Sequence, residues 1–395
     1  SICGPYIWNM VMDKLLFSLQ ELDGCNVCAY ADDLLIMVEA NSRTQIENIS
    51  REAIGLITAW SADVGVEISK EKSVVMMLKG RFVYSHTPSV IVCGNRLKYV
   101  KTVKYLGITI GEGMSFLPHL AKLSDKLQSL AGMVCRITRK DWGLGKKAIR
   151  ILYNGLFVAC ASFGAPIWYD AALRTTGVRF LIKCQRICLL ACLNVCRTVS
   201  SEALQVLMGA PPLDLVVFKM TIIFRYKRSL DQVRNAWLSN DEMKNSSNYK
   251  KELDEIMFEK WQDRWSVSTS GRITYEFIND VRFSGNCNYF RFSLFTGFLL
   301  TGHGSLNSYL CKRQLVDNEA CLCGDNCETV VHVICTCPLY EDLRDLDQLG
   351  VVFDGVVYDL SGVLCNIDRF EALQEFARAV FERRRRLSGI EPDSS

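Results

Sequence analysis

The sequence predicts an α+β fold, with short strands in the first 113 residues, a helical pattern after Gly113 and a mixed stretch over residues 251–310. Three observations predict it. Residues 25–38 read as two short apolar runs around a small acidic centre, the pattern of a β-hairpin. After Gly113 the apolar spacing changes from short runs to a 3.6-residue period. Five Cys and one His within residues 321–337 mark a small separate module near the C-terminus.

Composition bounds the function classes. With 395 residues, 49% hydrophobic and 23% charged, the chain can bury a sizeable core, which excludes a disordered or fibrous protein. Lys+Arg 46 against Asp+Glu 43 leaves +3, so overall charge does not by itself identify a nucleic-acid partner. Eighteen Cys in a chain this long, with no visible signal peptide, do not describe a secreted disulfide scaffold. The expected setting is reducing, nuclear and cytoplasmic, with thiols available for metal.

The elements follow in order. Cys25–Val38 is the hairpin, with Asp32 and Asp33 at its tip. Residues 42–64 form a helix, because Ile46, Ile49, Ala53, Ile57, Trp60 and Val64 share one face. Ser42 and Gln45 fit a capping box there, and Gly65 fits the stop. Short strands are expected at Ser73–Leu78, Val90–Cys93, Leu97–Val100 and Val103–Ile110, with Gly94-Asn95 as a hairpin turn. Leu120, Leu123, Leu127, Leu130 and Val134 then stripe a helix, and further helices fit 145–163, 178–196, 201–208 and 213–235. Residues 239–250 form the most polar stretch and the expected linker. Trp261 and Trp265 share a helical face, and a last helix is expected to run into Arg383–Arg386 and a disordered tail. Residues 151–169 carry no charge, but Asn154, Gly155, Gly164 and Pro166 favour a buried core helix over a membrane span.

Tyr30-Ala31-Asp32-Asp33 carries the sharpest chemistry. Adjacent carboxylates on a tight hairpin repel, and the apolar strands offer them no partner. A hard divalent cation relieves the repulsion, and Mg²⁺ commonly takes one or two carboxylates plus substrate phosphates. An Asp-Asp pair alone also suits a plain exposed turn.

In the cysteine cluster, Cys321, Cys323, Cys327, Cys335, Cys337 and His332 offer more donors than one tetrahedral Zn²⁺ needs. Gly324 permits the turn between ligand pairs, and chemistry alone leaves Cys335 competing with Cys337. Four protein ligands would make such a site structural, with no open position.

Other features are weaker. Cys184, Cys188, Cys192 and Cys196 recur every four residues on one helix face and read as core, since four ligands on one straight helix cannot converge on a single ion. Residues 134–152 carry Arg136, Arg139, Lys140, Lys146, Lys147 and Arg150 against Asp141, with Trp142 interleaved, which suits backbone phosphates or a solvated face. Arg383–Arg386 reads as a solubilising end ahead of a phosphate contact or a localisation signal. His86, His119 and His303 are given no metal or catalytic role.

Several motifs together resemble the reverse transcriptases of type-one non-LTR retrotransposons. Tyr30-Ala-Asp-Asp33 resembles their YxDD box. Ser1-Ile-Cys-Gly4-Pro5, with Trp8, Asn9 and Asp13, resembles the end of the preceding motif. Gly65-Val-Glu-Ile-Ser-Lys-Glu-Lys72 resembles the next one, and Lys104-Tyr105-Leu106-Gly107 the primer grip. Arg197-Thr-Val-Ser200, Gly209-Ala-Pro-Pro212, Trp261-Gln-Asp-Arg-Trp265, Gly271-Arg272, Thr301-Gly-His-Gly304 and Tyr309-Leu310 resemble the region beyond the polymerase. The resemblance covers essentially the whole chain.

It implies a partial palm over residues 1–113, a helical thumb over 114–238, a connector over 251–320, a zinc knuckle over 321–340 and a C-terminal helix and tail over 341–395. It implies nucleotidyl transfer with two Mg²⁺ ions on Asp32 and Asp33, acting on an RNA template, a target-DNA primer and deoxynucleoside triphosphates. Gly4, Pro5, Tyr30, Lys72, Tyr105, Leu106 and Gly107 would touch primer or nucleotide. Within the cluster it selects Cys321, Cys323, His332 and Cys337 for Zn²⁺, leaving Cys327 and Cys335 over. No nuclease is expected in this chain. Such polymerases draw a third carboxylate from an earlier strand, and Asp13 and Asp23 do not sit in that motif. The chain is therefore expected to be the C-terminal part of a longer polyprotein, inactive alone. A catalytically inactive relic that binds nucleic acid through the basic thumb and knuckle is the alternative, and a zinc-stabilised interaction module a third.

Overall fold

The computed structural model describes residues 3–78, 87–137, 145–172, 175–193, 195–228, 237–238, 242–243, 247–283 and 293–388. The chain divides into two compact units, Ser1–His119 and Leu120–Ser395.

The first unit mixes helices with small sheets. Helix α1 runs Gly4–Gln20, with a proline in its first turn where a missing N–H costs nothing. The hairpin is β1 (Cys25–Tyr30) and β2 (Asp33–Val38), antiparallel, with Tyr30 opposite Asp33. Gly24 sits at φ 76°, and a Cβ there would meet the Glu39 carbonyl oxygen at 2.6 Å. The same two residues close the open end of the hairpin through Glu39 N–H to Gly24 O, 2.9 Å. Helix α2 is Arg43–Val64, capped by the Ser42 side chain accepting from Gln45 N–H and ended by Gly65 at φ 75°. The core of this unit gathers Leu15, Leu19, Cys25 and Ala53, with Val27, Leu34, Ile36, Ile49, Ile57 and Trp60 packed around them.

The remaining strands are shorter than the sequence predicts. They are β3 (Val74–Val75), β4 (Ile91–Val92), β5 (Asn95–Arg96), β6 (Lys98–Tyr99), β7 (Thr102–Tyr105) and β8 (Ile108–Gly111). Strands β3 and β6 pair in parallel, whereas β4–β5 and β7–β8 are antiparallel hairpins. Two expectations change here. The β4–β5 turn is Cys93-Gly94, one residue earlier than Gly94-Asn95, with both residues at positive φ (47° and 77°). Val103–Ile110 is not one strand but a hairpin turning at Leu106 (φ 46°) and Gly107 (φ 86°). Two successive left-handed residues twist the backbone to match the strands they join.

The second unit is mostly helical. Helix α3 (Leu117–Ile137) crosses the unit boundary and buries Leu120, Leu123, Leu127, Ala131 and Val134. Ala131 takes the place expected for Leu130, which is half-buried. Helix α4 (Lys146–Leu152) continues through a π turn at Tyr153–Val158 into α5 (Ala159–Ser162). Phe163 and Gly164, the latter at φ 64°, break the uncharged segment before α6 (Ala165–Ala172). Its Phe157 and Trp168 are fully buried. Helices α7 (Thr175–Cys192), α8 (Ser201–Met208) and α9 (Leu213–Lys227) follow.

Gln185 joins these helices. Its side chain donates to the Tyr153 hydroxyl and the Pro211 carbonyl, and accepts from the Gln205 amide and Leu213 N–H. Cys184 and Cys188 of α7 are buried and Cys192 half-buried. Among the described residues they form no metal-ligand group. Helix α10 (Tyr249–Val267) buries Trp261 and Trp265, and its Arg264 grips the buried Asp214 of α9 at 3.1 and 2.9 Å. Next come α11 (Arg272–Phe277), α12 (Leu294–Thr301) and α13 (Asn307–Lys312). After the cysteine cluster lie α14 (Leu346–Leu349), a two-stranded ladder of β9 (Val352–Phe353) and β10 (Tyr358–Asp359), and the long α15 (Ile367–Leu387). No single described helix is long and apolar enough to cross a membrane.

Candidate carboxylate turn and metal centre

The β1–β2 turn consists of Ala31 and Asp32, with Asp33 the first residue of β2. Ala31 sits at φ 51°, an unusual conformation for a residue with a Cβ, where about 1 kcal/mol of strain is expected. The turn is held from outside: Trp8 of α1 donates its indole N–H to the Ala31 carbonyl at 2.8 Å. Trp8 in turn packs edge-on against Trp60 of α2, ring centres 6.3 Å apart, and Trp60 donates to the Val11 carbonyl. Two helices therefore fix the position of a two-residue turn. Sequence reading missed Trp8 as a site residue, although it lies one helical turn beyond Gly4.

Tyr30, Asp32 and Asp33 are all exposed, Tyr30 at 64%. Tyr105, at the end of β7, has a buried hydroxyl. Burial first, then the neighbouring Cys28 and Asp33, push its pKa up. The Tyr105 side chain thus faces the β1–β2 hairpin, while Leu106 and Gly107 stand exposed in the next turn. Gly4 and Pro5 open α1 and are exposed. Lys72 is exposed in the turn before β3, and no ion pair joins it to Asp32 or Asp33. As donors, two neighbouring carboxylates fit a hard divalent cation that also takes substrate phosphate oxygens. Among the described residues no third carboxylate completes a ligand group with them.

In the second unit, the Cys321, Cys323 and Cys337 sulfurs and a His332 ring nitrogen lie within 4.8 Å of one another. Cys321 Sγ and Cys337 Sγ are 3.8 Å apart, and Cys323 Sγ lies 3.3 Å from His332 Nε2. Tetrahedral Zn²⁺ with Zn–S of about 2.3 Å has S···S edges of about 3.8 Å, so the spacing and the sulfur-rich donor set fit zinc.

Local backbone builds this geometry. Gly324 at φ 97° lets the chain double back, with Gly324 N–H on the Cys321 carbonyl and Asp325 N–H 3.4 Å from Cys323 Sγ. His332–Thr336 is a π turn, closed by Cys337 N–H on the His332 carbonyl at 2.7 Å. The five-residue step brings Cys337 round beneath His332, which an ordinary α turn would not do. Cys335 is buried outside the group, and Cys327 hydrogen-bonds Glu319 at 3.1 Å instead. Burial raises the pKa of each, to about 11.

Further residues support the cluster that spacing alone did not reveal. His332 Nδ1 lies 3.1 Å from Thr336 Oγ1 and 3.6 Å from Asp325 Oδ2, which leaves Nε2 facing the sulfurs. Arg384 pairs with the buried Glu328 between the ligand segments. Arg383 pairs with Asp342 and donates to the Leu339 carbonyl. These two arginines are therefore structural, correcting the expectation of a solubilising end.

Of the basic segment, Arg136 is exposed at the end of α3, Lys147 is exposed on α4 and Arg150 is half-buried. Arg139, Lys140 and the Lys146 side chain lie outside the described residues, as does His86.

Comparison with known proteins gives the family. Residues 1–110 match the family model described as reverse transcriptase (RNA-dependent DNA polymerase). Over 390 residues the chain is 45% identical to a 115 kDa protein in type-1 retrotransposable element R1DM of Drosophila melanogaster, covering 98% of this chain and 38% of that one. It is 40% identical to the retrovirus-related Pol polyprotein from type-1 retrotransposable element R1 of Bradysia coprophila, covering 97% and 38%. Against the Pol polyprotein from element R1 2 of Nasonia vitripennis it is 37% identical, covering 100% and 98%. The chain thus spans well under half the length of the first two relatives. No solved structure matches it.

Proposed function

Because the chain belongs to the Pol polyproteins of type-1 retrotransposable elements R1, we propose that it forms part of an RNA-directed DNA polymerase, working on an RNA template, a DNA primer and deoxynucleoside triphosphates. One observation carries this reading: the exposed Asp32-Asp33 turn is pinned by Trp8 and faced by Tyr105. Asp32 and Asp33 would hold the divalent ions. Mg²⁺ bound there would supply activation of the primer hydroxyl and charge neutralisation on the leaving pyrophosphate. The chain's own groups bind and orient. Exposed Tyr30 lies beside the carboxylates and can pack on the primer end or incoming nucleotide. Tyr105, Leu106 and Gly107 form a tight turn suited to positioning the primer strand. Gly4, Pro5 and Lys72 are further contacts on this reading, with Lys72 toward pyrophosphate.

The same reading assigns residues 1–113 to the palm, 114–238 to a thumb, 251–320 to a connector, 321–340 to a zinc knuckle and 341–395 to a C-terminal helix. Arg136, Arg139, Lys140, Lys146, Lys147 and Arg150 would meet template–primer phosphates. Zinc on Cys321, Cys323, His332 and Cys337 would be structural.

A second reading, nucleic-acid binding without catalysis, draws on exposed Arg136 and Lys147 and on the converging Cys321, Cys323, His332 and Cys337. Primer extension on RNA with the purified chain, Mg²⁺ and deoxynucleotides separates the two. Extension that Asp32→Ala abolishes supports the polymerase. Salt-dependent binding without extension supports the second reading.

A further inference from the structure

We propose that a nucleic-acid phosphate site, separate from the basic segment 134–152, is formed by Arg197 and Arg313 around a Thr198–His303–Tyr309 cluster. It rests on the nucleic-acid reading above and deepens it.

Three segments distant in sequence meet here. Thr198 Oγ1 lies 2.9 Å from His303 Nδ1 and 2.6 Å from the Tyr309 hydroxyl, across separations of 105 and 111 residues. The His303 and Tyr309 rings are 4.7 Å apart and tilted by 34°. The Arg313 guanidinium covers the Tyr309 ring, 5.5 Å from its centre. Glycines on both sides of His303 hold the turn. Gly302 is at φ 68° and Gly304 at φ 142°, where a Cβ would strike the Phe298 ring at 2.3 Å. The loop bearing Arg197 is fixed by Arg186, which donates to the Arg197 carbonyl at 2.6 Å and to the Val199 carbonyl.

The charge is one-sided. Arg197, Lys312 and Arg313 are exposed and have no ion-pair partner among the described residues. Burial, then Arg313 and Arg186, drive the His303 pKa down to about 4, while Glu202 acts on Arg186 alone among these cations. Exposed Arg197, next to Thr198 in sequence, and the Arg313 guanidinium over Tyr309 offer the paired N–H donors through which Arg binds phosphate. Arg197, Thr198 and Arg313 are all exposed, as contact with a polymer backbone requires.

The test measures binding of the full chain to a labelled RNA strand and a labelled DNA duplex, across about 50–200 mM salt. Arg197→Ala/Arg313→Ala is expected to weaken binding about ten-fold or more and to reduce the salt slope by about 1 per lost contact. Arg197→Lys/Arg313→Lys should restore the slope, because charge returns without the fork. Loss confined to RNA, or to duplex DNA, supports the site and names the strand it holds. A double-alanine chain with unchanged slope on both probes overturns the site while leaving the nucleic-acid reading intact. If the unmodified chain binds neither probe, that reading fails and the site falls with it.

Discussion

Arg384, near the end of the last helix, forks onto the buried carboxylate of Glu328, 56 residues earlier, through contacts of 2.9 and 2.8 Å. Glu328 also accepts from Asn307 N–H at 2.6 Å, and Arg384 donates to the Asn307 side-chain oxygen at 2.8 Å. One buried ion pair therefore ties α13, the cysteine cluster and α15 together. Removing one partner leaves an uncompensated buried charge, so Arg384→Ala or Glu328→Ala is expected to cost about 3–5 kcal/mol. Urea midpoints of the second unit's transition check this. A double replacement by apolar residues should cost less than the sum of the singles.

One zinc per chain is expected, held by Cys321, Cys323, His332 and Cys337. Metal analysis of Cys323→Ser should show none. Cys327→Ser and Cys335→Ser should retain it, because neither sulfur belongs to the converging group. A Cys335→Ser chain that loses its zinc would refute this ligand set.

Asp325 and Thr336 orient the His332 ring through Nδ1. Groups in this position typically change metal affinity by about 10–100-fold. Thr336→Val and Asp325→Asn should each lower zinc affinity in a chelator competition, without removing any ligand. Equal affinities in all three chains would show that the ring is held by packing alone.

The Trp8 bond to the Ala31 carbonyl stabilises the carboxylate turn. Trp8→Phe keeps the ring but loses the donor, so a loss of about 1 kcal/mol is expected from the first unit. Amide hydrogen exchange at residues 30–33 should quicken in the variant.

His303 contributes a pH dependence. Its folded pKa is lowered to about 4 from 6.5, so between those values the unfolded chain binds the proton and the folded chain does not. Stability therefore falls as pH drops through that window and is restored above about 6.5. His303→Gln should flatten this part of the stability–pH curve. A wild-type curve with the same slope as the variant would refute it.

The local code was legible where signals are local. Ser42, Gln45 and Gly65 bounded α2, and residues 201–208 formed a helix over the expected span. The Asp32-Asp33 hairpin was legible because apolar strands flank an acidic turn. By contrast, Val103–Ile110 hid a turn, since nothing in a leucine advertises the positive φ that Leu106 adopts beside Gly107.

By itself the sequence determined the α+β character of the first part, the helical second part, the paired carboxylates and a surplus of soft donors near the C-terminus. Tertiary structure decided the rest. Cys335 and Cys337 compete on spacing, and the π turn after His332 brings Cys337 to the sulfurs while Cys335 enters the core. Arg384 sits in a run that reads as solvent-exposed charge until Glu328, buried and needing a partner, appears against it. Thr198, His303 and Tyr309 are isolated residues until the two loops and the helix that carry them pack. Secondary structure follows from neighbours within a few residues. Which donors converge on one point depends on contacts made across the chain, and only packing sets those.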